Sequence, residues 1–348
     1  MNNQSPVITP TQTSSAPTAS VLVHPEELSH VWIDRCAAYG IPTIGLHPVG
    51  GQAAADTMAS LLCMMEDDTF CALLSYAEER GIAIEYEMHA MRYFLPSSEF
   101  SRHPEWFREN EAGERVPDLN CCVSSTEALD YIAVRAADAA RRLAKPLSHP
   151  THRYFFWMDD ARGGFCHCEK CRRLSPSDQQ LLVMNRILKE IRRDDKNAAL
   201  AYLAYCECTE PPKTVKPDDG IFLEFAPFDR DFHTPLTAAD CEKNSASTAP
   251  LSALLSLFGT DDAKVLEYWL DNSLYSGWKK PPKAFCEDKA VVHADFAYYK
   301  ALGFTDISTF ACYLGADYEA LYGDADIRAF AEEVNALLLM PQHTSAVN

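Results

Sequence analysis

Short apolar runs alternate with longer segments of helical spacing through most of the chain. Residues 25–39 carry apolar side chains at helical intervals and stop at Gly40, and residues 43–47 then read as a short buried strand closed by Pro48 and Gly50-Gly51. The same alternation predicts strands at 82–89, 119–123, 154–158, 200–205, 221–225, 265–269 and 307–313. Between them, helices are predicted at 53–80, 126–143, 177–193, 251–257, 290–302 and 325–338. Regular strand–helix alternation with eight strands predicts one parallel (β/α)8 barrel. An open doubly wound sheet is the competing architecture. It is disfavoured because His47-Pro48-Val49-Gly50-Gly51 lacks the glycine spacing of a dinucleotide loop.

With 348 residues and 47% hydrophobic content, the chain can bury a large core. Residues 1–20, rich in Ser, Thr, Pro and Gln, read as a disordered tail without the apolar stretch of a signal peptide. The barrel is expected over 21–340, with a flexible tail at 341–348. A formal charge of −19 without a basic stripe argues against nucleic acid and anionic membrane surfaces as partners, whereas a neutral sugar is compatible with it. No apolar run approaches the roughly 18 residues of a membrane span. The 13 cysteines are odd in number and several lie in strand or helix patterns, which favours reduced thiols and a cytoplasmic location.

Polar and aromatic residues gather at the predicted strand C-termini, the face on which such barrels carry their sites. Asp159 and Asp160 follow the run 154–158, and two carboxylates at one rim suit glycosidic cleavage, in which one group protonates the leaving oxygen. A plain capping role is the competing reading for this pair. His47, Glu87, His89, Trp157, Tyr205, Glu224, Glu267, Trp269, Asn272 and Tyr313 are the expected substrate contacts from the strands, and Trp278 joins them from the loop after Trp269. For the histidines and for Trp269, ordinary core packing competes with this role, and for Glu224 and Glu267 an internal salt bridge does.

Cys166, Cys168 and Cys171 form a C-x-C-x-x-C array directly after the aspartates. Three thiolates so spaced suit a structural zinc ion, with a fourth ligand from His167, Cys121, Cys122, Cys206 or Cys208; thiols that merely pack are the alternative. No cofactor is expected for catalysis.

Glu85-Tyr86-Glu87-Met88-His89-Ala90, His103-Pro104-Glu105-Trp106-Phe107, Phe156-Trp157-Met158-Asp159-Asp160 and the cysteine array, followed by Leu203-Ala204-Tyr205, Pro211-Pro212 and Lys216-Pro217, resemble the bacterial domain of unknown function numbered 4838. The resemblance runs from about Gly45 to Tyr322. Part of that family looks like glycoside hydrolase family 163, endo-β-N-acetylglucosaminidases, which implies a barrel with substrate-assisted catalysis. The aspartate pair is also similar to that of family 84 N-acetylglucosaminidases. By that likeness Asp159 would polarise the 2-acetamido group and Asp160 would be the general acid/base. Many family members carry Asn-Asp-Gly where this chain has Asp159-Asp160-Ala161. A non-catalytic carbohydrate-binding barrel is the second reading. A uronic-acid glycan hydrolase, with Arg92, Arg162 or Arg230 at the mouth, is the third.

Overall fold

The structure, a computed structural model, describes residues 16–339. Eight strands form a closed barrel: β1 (Thr18–Val23), β2 (Thr43–Leu46), β3 (Ala83–His89), β4 (Arg153–Trp157), β5 (Ala199–Ala204), β6 (Ile221–Phe225), β7 (Lys264–Glu267) and β8 (Asp306–Phe310). Every pairing is parallel, and β1 closes the ring by pairing Val21 with Ile44 on β2 and with Thr309 on β8. The shell includes α1 (His30–Tyr39), α2 (Ala54–Met64), α3 (Asp68–Glu79), α4 (Thr126–Ala144), α5 (Pro176–Ile191), α6 (Leu251–Phe258), α7 (Lys289–Ala301) and α8 (Arg328–Leu338). This is the (β/α)8 barrel expected from the sequence. Among the described residues no helix is long and apolar enough to cross a membrane.

Two strands differ from the expectation. The predicted tail at 1–20 overlaps β1, whose residues Ala19–Val23 are buried; the rest of that tail, residues 1–15, and the tail at 341–348 lie outside the described residues. Residues 119–123 are not a strand. Asn120 there takes a left-handed backbone with φ 44°, and Cys122 N donates to Trp106 O of the preceding loop instead of to a sheet neighbour. The missed strand and the false one leave the count at eight. The helix predicted at 53–80 is two, because the Asp67 side chain accepts from Phe70 N at 2.9 Å and starts α3 afresh.

Alternation along the strands divides the core. Leu22, Phe155, Ala201, Leu203, Phe222, Leu266 and Phe310 fill the barrel interior, while Val21, Phe156, Tyr202, Leu223, Val265 and Ile307 belong to the layer between sheet and helices. Near the N-terminal end the interior is charged. Arg153 meets Asp306 at 2.7 Å and Glu85 at 3.4 Å, and Lys264 meets Glu87 at 2.7 Å and Glu85 at 3.3 Å. These charges are buried but paired, as low-polarity surroundings require.

Helix α5 shows how a surface connection is held on this frame. Ser175 and Asp178 form a capping box at its start, and Asp178 Oδ1 also accepts from the main-chain N–H groups of Lys213, Thr214 and Val215 at 3.0, 2.8 and 2.8 Å. Burial would raise its carboxyl, but these donors outweigh burial and bring it from 3.8 to about 2. The folded value is the lower one, so the stabilisation is complete above 3.8 and disappears as the pH falls towards 2. Asp178→Asn should therefore cost on the order of 2 kcal/mol at neutral pH. In urea denaturation from pH 7 to pH 3 the gap between variant and wild type should narrow only at the acid end; a constant gap would contradict this account.

Candidate active site

The C-terminal mouth of the barrel opens into a cavity of about 360 Å³. Its walls hold His24, His47, His89, Trp157, Asp160, Tyr205, Tyr268, Asp271, Trp278, Phe310 and Tyr313. Inward-facing positions at or just beyond the strand ends supply most of these. The aromatic wall is continuous: Tyr268 stacks on Phe310 at 5.1 Å between ring centroids, and His47 lies 4.9 Å from Phe310 and 5.5 Å from Trp157. Flat apolar faces beside polar atoms suit a ring with C–H faces and peripheral hydroxyls.

The two adjacent aspartates part company at the end of β4. Asp160 is exposed and accepts a hydrogen bond from Tyr205 Oη at 2.9 Å on the cavity wall. Asp159 is buried and turned away: Oδ2 accepts from Asn120 N at 2.6 Å and Oδ1 from Arg92 N at 3.2 Å. Asn120 returns the contact, since its Oδ1 accepts from Asp159 N at 2.8 Å and its Nδ2 donates to Gly164 O at 3.0 Å. Burial raises the Asp159 carboxyl, and the donated N–H groups work against that rise. Expected beside the substrate, Asp159 instead fixes the backbone from which Asp160 projects. Gly50 lets the next loop approach this point, because a Cβ there would lie 2.9 Å from His89 Cδ2 and 3.7 Å from Asp160 Oδ2.

Three histidines at the C-terminal ends of β1, β2 and β3 share one arrangement. The Nδ1–H of His24 donates to His47 O at 2.8 Å, that of His47 to Glu87 O at 2.8 Å, and that of His89 to Met158 O at 2.6 Å. A carbonyl can only accept, so each bond fixes the tautomer and leaves Nε2 without its own proton in the neutral ring. Burial, reinforced by His24 and His89, holds His47 well below the usual imidazole range and therefore neutral. Its Nε2 is an acceptor suited to a sugar hydroxyl.

Of the other expected contacts, His47, His89, Trp157, Tyr205, Trp278 and Tyr313 line the cavity, and Trp278 stands 62% exposed at its edge. Glu87, Glu224, Glu267, Trp269 and Asn272 do not. Glu224 lies beneath the floor, where its Oε2 accepts from Trp157 Nε1 at 2.7 Å. Burial raises Glu224 well above the ordinary carboxylate range, with the neighbouring Glu87 adding to the rise. Glu87 is paired with Lys264. Glu267 and Trp269 point outward because Leu266 and Tyr268 point inward. Glu267 there accepts from Arg230 and Tyr299 at 2.6 Å each, and Trp269 Nε1 donates to Asp295 at 3.1 Å on α7. Asn272 Nδ2 is spent on Lys283 O and Tyr313 O.

Residues not anticipated as contacts complete the wall. His24 was hidden with β1, Phe310 is the last residue of β8, and Phe228 and Ser273 sit past strand ends without a signal of their own. Asp271, three strands round the barrel from Asp160, is the second carboxylate residue of the wall. Its Oδ1 accepts from Ser273 N, Ser273 Oγ and Leu274 N at 3.0, 2.5 and 3.3 Å, and burial raises its carboxyl. None of the three candidate arginines lines the cavity: Arg92 lies 3.9 Å from Asp159, Arg162 pairs with Asp229, and Arg230 is buried between Glu267 and Asp295.

Outside the cavity, Cys166, Cys168 and Cys171 are joined by Cys122, with all four sulfurs within 4.8 Å of one another and all four residues buried. His167, Cys121, Cys206 and Cys208 stand outside this group.

The two aspartates should differ in what they do for stability. Asp159→Asn would turn an amide donor towards one of two main-chain donors, at a cost of about 1–3 kcal/mol, whereas exposed Asp160→Asn should stay within about 0.5 kcal/mol of wild type. Chemical denaturation of both variants measures this. Equal stability would mean that Asp159 is not the anchor.

No curated protein matches this sequence. Among solved structures, a cold-adapted β-galactosidase from Rahnella sp. R3 is similar over 94% of this chain and 56% of its own, with 14% identity and a TM-score of 0.54. A Thermobaculum terrenum O-GlcNAc hydrolase is similar over 92% of this chain and 59% of its own, with 10% identity and a TM-score of 0.50. This chain thus spans little more than half the length of either, and at such identity the likeness is one of fold. Residues 64–250, over half of the chain, match the family described as Domain of unknown function (DUF4838), and the chain belongs to that family.

Proposed function

We propose that this protein is a glycoside hydrolase acting on a neutral glycan, with Asp160 as the group that gives a proton to the departing glycosidic oxygen and then takes one from the water that completes hydrolysis. The observation that carries the reading is the placing of Asp160 on the wall of an aromatic-lined cavity, hydrogen-bonded to Tyr205 Oη. Glycosidic cleavage needs a carboxyl group beside the departing oxygen and a second group at the anomeric carbon. Asp271 is the wall's other carboxylate residue.

An N-acetylhexosamine is the favoured sugar. The family resemblance implies it, and a similarly folded neighbour is an O-GlcNAc hydrolase. On such a substrate the acetamido oxygen attacks the anomeric carbon, and a carboxylate that receives the amide N–H strengthens the attack. In this reading that carboxylate is Asp271, since Asp159 is occupied by Asn120 and Arg92. His47 accepts a hydroxyl through Nε2, and Trp278 covers a sugar face at the rim. The absence of arginine from the wall favours a neutral substrate over a uronic acid.

A panel of aryl glycosides and released N-glycans should contain a substrate. On it, Asp160→Asn should depress cleavage about 10²–10⁴-fold for poor leaving groups and largely spare activated aryl ones, which depart without a proton. Asp271→Asn should slow all of them alike, and a thiazoline mimic of the cyclised intermediate should bind wild type more tightly than the parent sugar. Equal losses across leaving groups in Asp160→Asn would overturn its role. Absence of turnover of any glycan would leave a carbohydrate-binding barrel as the better description.

A further inference from the structure

The cysteine cluster belongs to the loops outside the cavity, and the proposed hydrolysis makes no use of it. Cys122 comes from the long connection between β3 and α4, and the other three from the connection between β4 and α5. Sulfurs of Cys122 and Cys168 lie 3.8 Å apart, as do those of Cys122 and Cys171. A tetrahedral zinc ion with zinc–sulfur bonds of about 2.3 Å has sulfur–sulfur edges of about 3.8 Å. A disulfide would need sulfurs about 2.05 Å apart, and it would use only two of the four.

The surroundings match the chemistry of bound thiolates. Glu109 N donates to Cys166 Sγ at 3.3 Å, and Arg115 Nη1 lies 3.9 Å from the same sulfur, so a main-chain donor and a cation both face the cluster. Gln179 braces the loop from α5: its Oε1 accepts from Cys166 N at 3.0 Å, and its Nε2 donates to Cys166 O at 3.1 Å and Cys171 O at 3.4 Å. Such outer contacts hold ligand sulfurs in place before an ion arrives.

We infer that Cys122, Cys166, Cys168 and Cys171 bind one structural zinc ion, with Cys122 as the ligand that the C-x-C-x-x-C array alone does not supply. All four positions are taken by protein, so the ion has no open site for substrate. Binding releases the remaining thiol protons to solvent. Its effect is to lock together the two loops that carry Asn120 and Asp159, and with them the base from which Asp160 reaches the cavity.

The 348-residue chain purified under reducing conditions without chelator should contain about one zinc per chain by elemental analysis. Replacement with cobalt should give the sulfur-to-metal absorption and the visible bands of a tetrahedral all-thiolate site. Cys122→Ser and Cys168→Ser should lose metal affinity by more than the roughly 10–100-fold expected of an outer contact, while Cys121→Ser, one residue away, keeps its zinc. The cobalt spectrum of wild type decides the matter even where a cysteine variant fails to fold. Reduced protein that takes up neither metal, or equal loss of zinc from Cys121→Ser and Cys122→Ser, would overturn the assignment.

Discussion

Closure of eight parallel strands is the constraint on which the rest depends, because it leaves each strand residue either inside a filled barrel or in the layer under the helices. A one-residue slip would exchange these sets. The inward set ends at the C-terminal mouth in rings and polar groups that cannot pack further down, where Arg153 and Lys264 already pair with Glu85, Glu87 and Asp306. The charged base and the aromatic mouth are therefore two ends of the same alternation. Only the mouth opens into the cavity.

The connections then decide which of the polar residues at the mouth is free. Asp159 and Asp160 are neighbours with the same side chain, yet one is consumed in holding Asn120 and Arg92 while the other keeps an exposed carboxylate against Tyr205. The anchor is indispensable to the proposed chemistry because Asp160 sits on a loop, where position is otherwise loosely defined. The cysteine cluster stands behind the same loop pair. One dipeptide thus holds a carboxylate spent on the backbone and a carboxylate left facing the cavity.

The barrel was legible from strand and helix periodicity, but β1 was not, because Thr18–Val23 follows a Ser/Thr/Pro-rich stretch and gains its hydrogen bonds from β2 and β8, far away in sequence. His24 was lost with it. Residues 119–123 resembled a strand because Cys121, Cys122 and Val123 are apolar; two of these are thiols, and Cys122 turns to the cluster. Glu267 and Trp269 were legible as polar and aromatic at a strand end, but not as outward-facing, since that depends on which parity of β7 faces in. Long-range partners also account for Glu224 beneath Trp157, which reads in sequence as a contact and lies in structure under the floor.

The central claim is that the barrel mouth is a sugar site in which Asp160 acts on bound glycan. Glycan-array binding by Asp160→Asn, with and without Trp278→Ala, tests it most directly, because Trp278 is exposed and its removal leaves the core intact. A glycan cleaved by wild type should be retained uncleaved by Asp160→Asn and released when Trp278 is also removed. A glycan held equally well with and without Trp278, or no glycan bound at all, would contradict it.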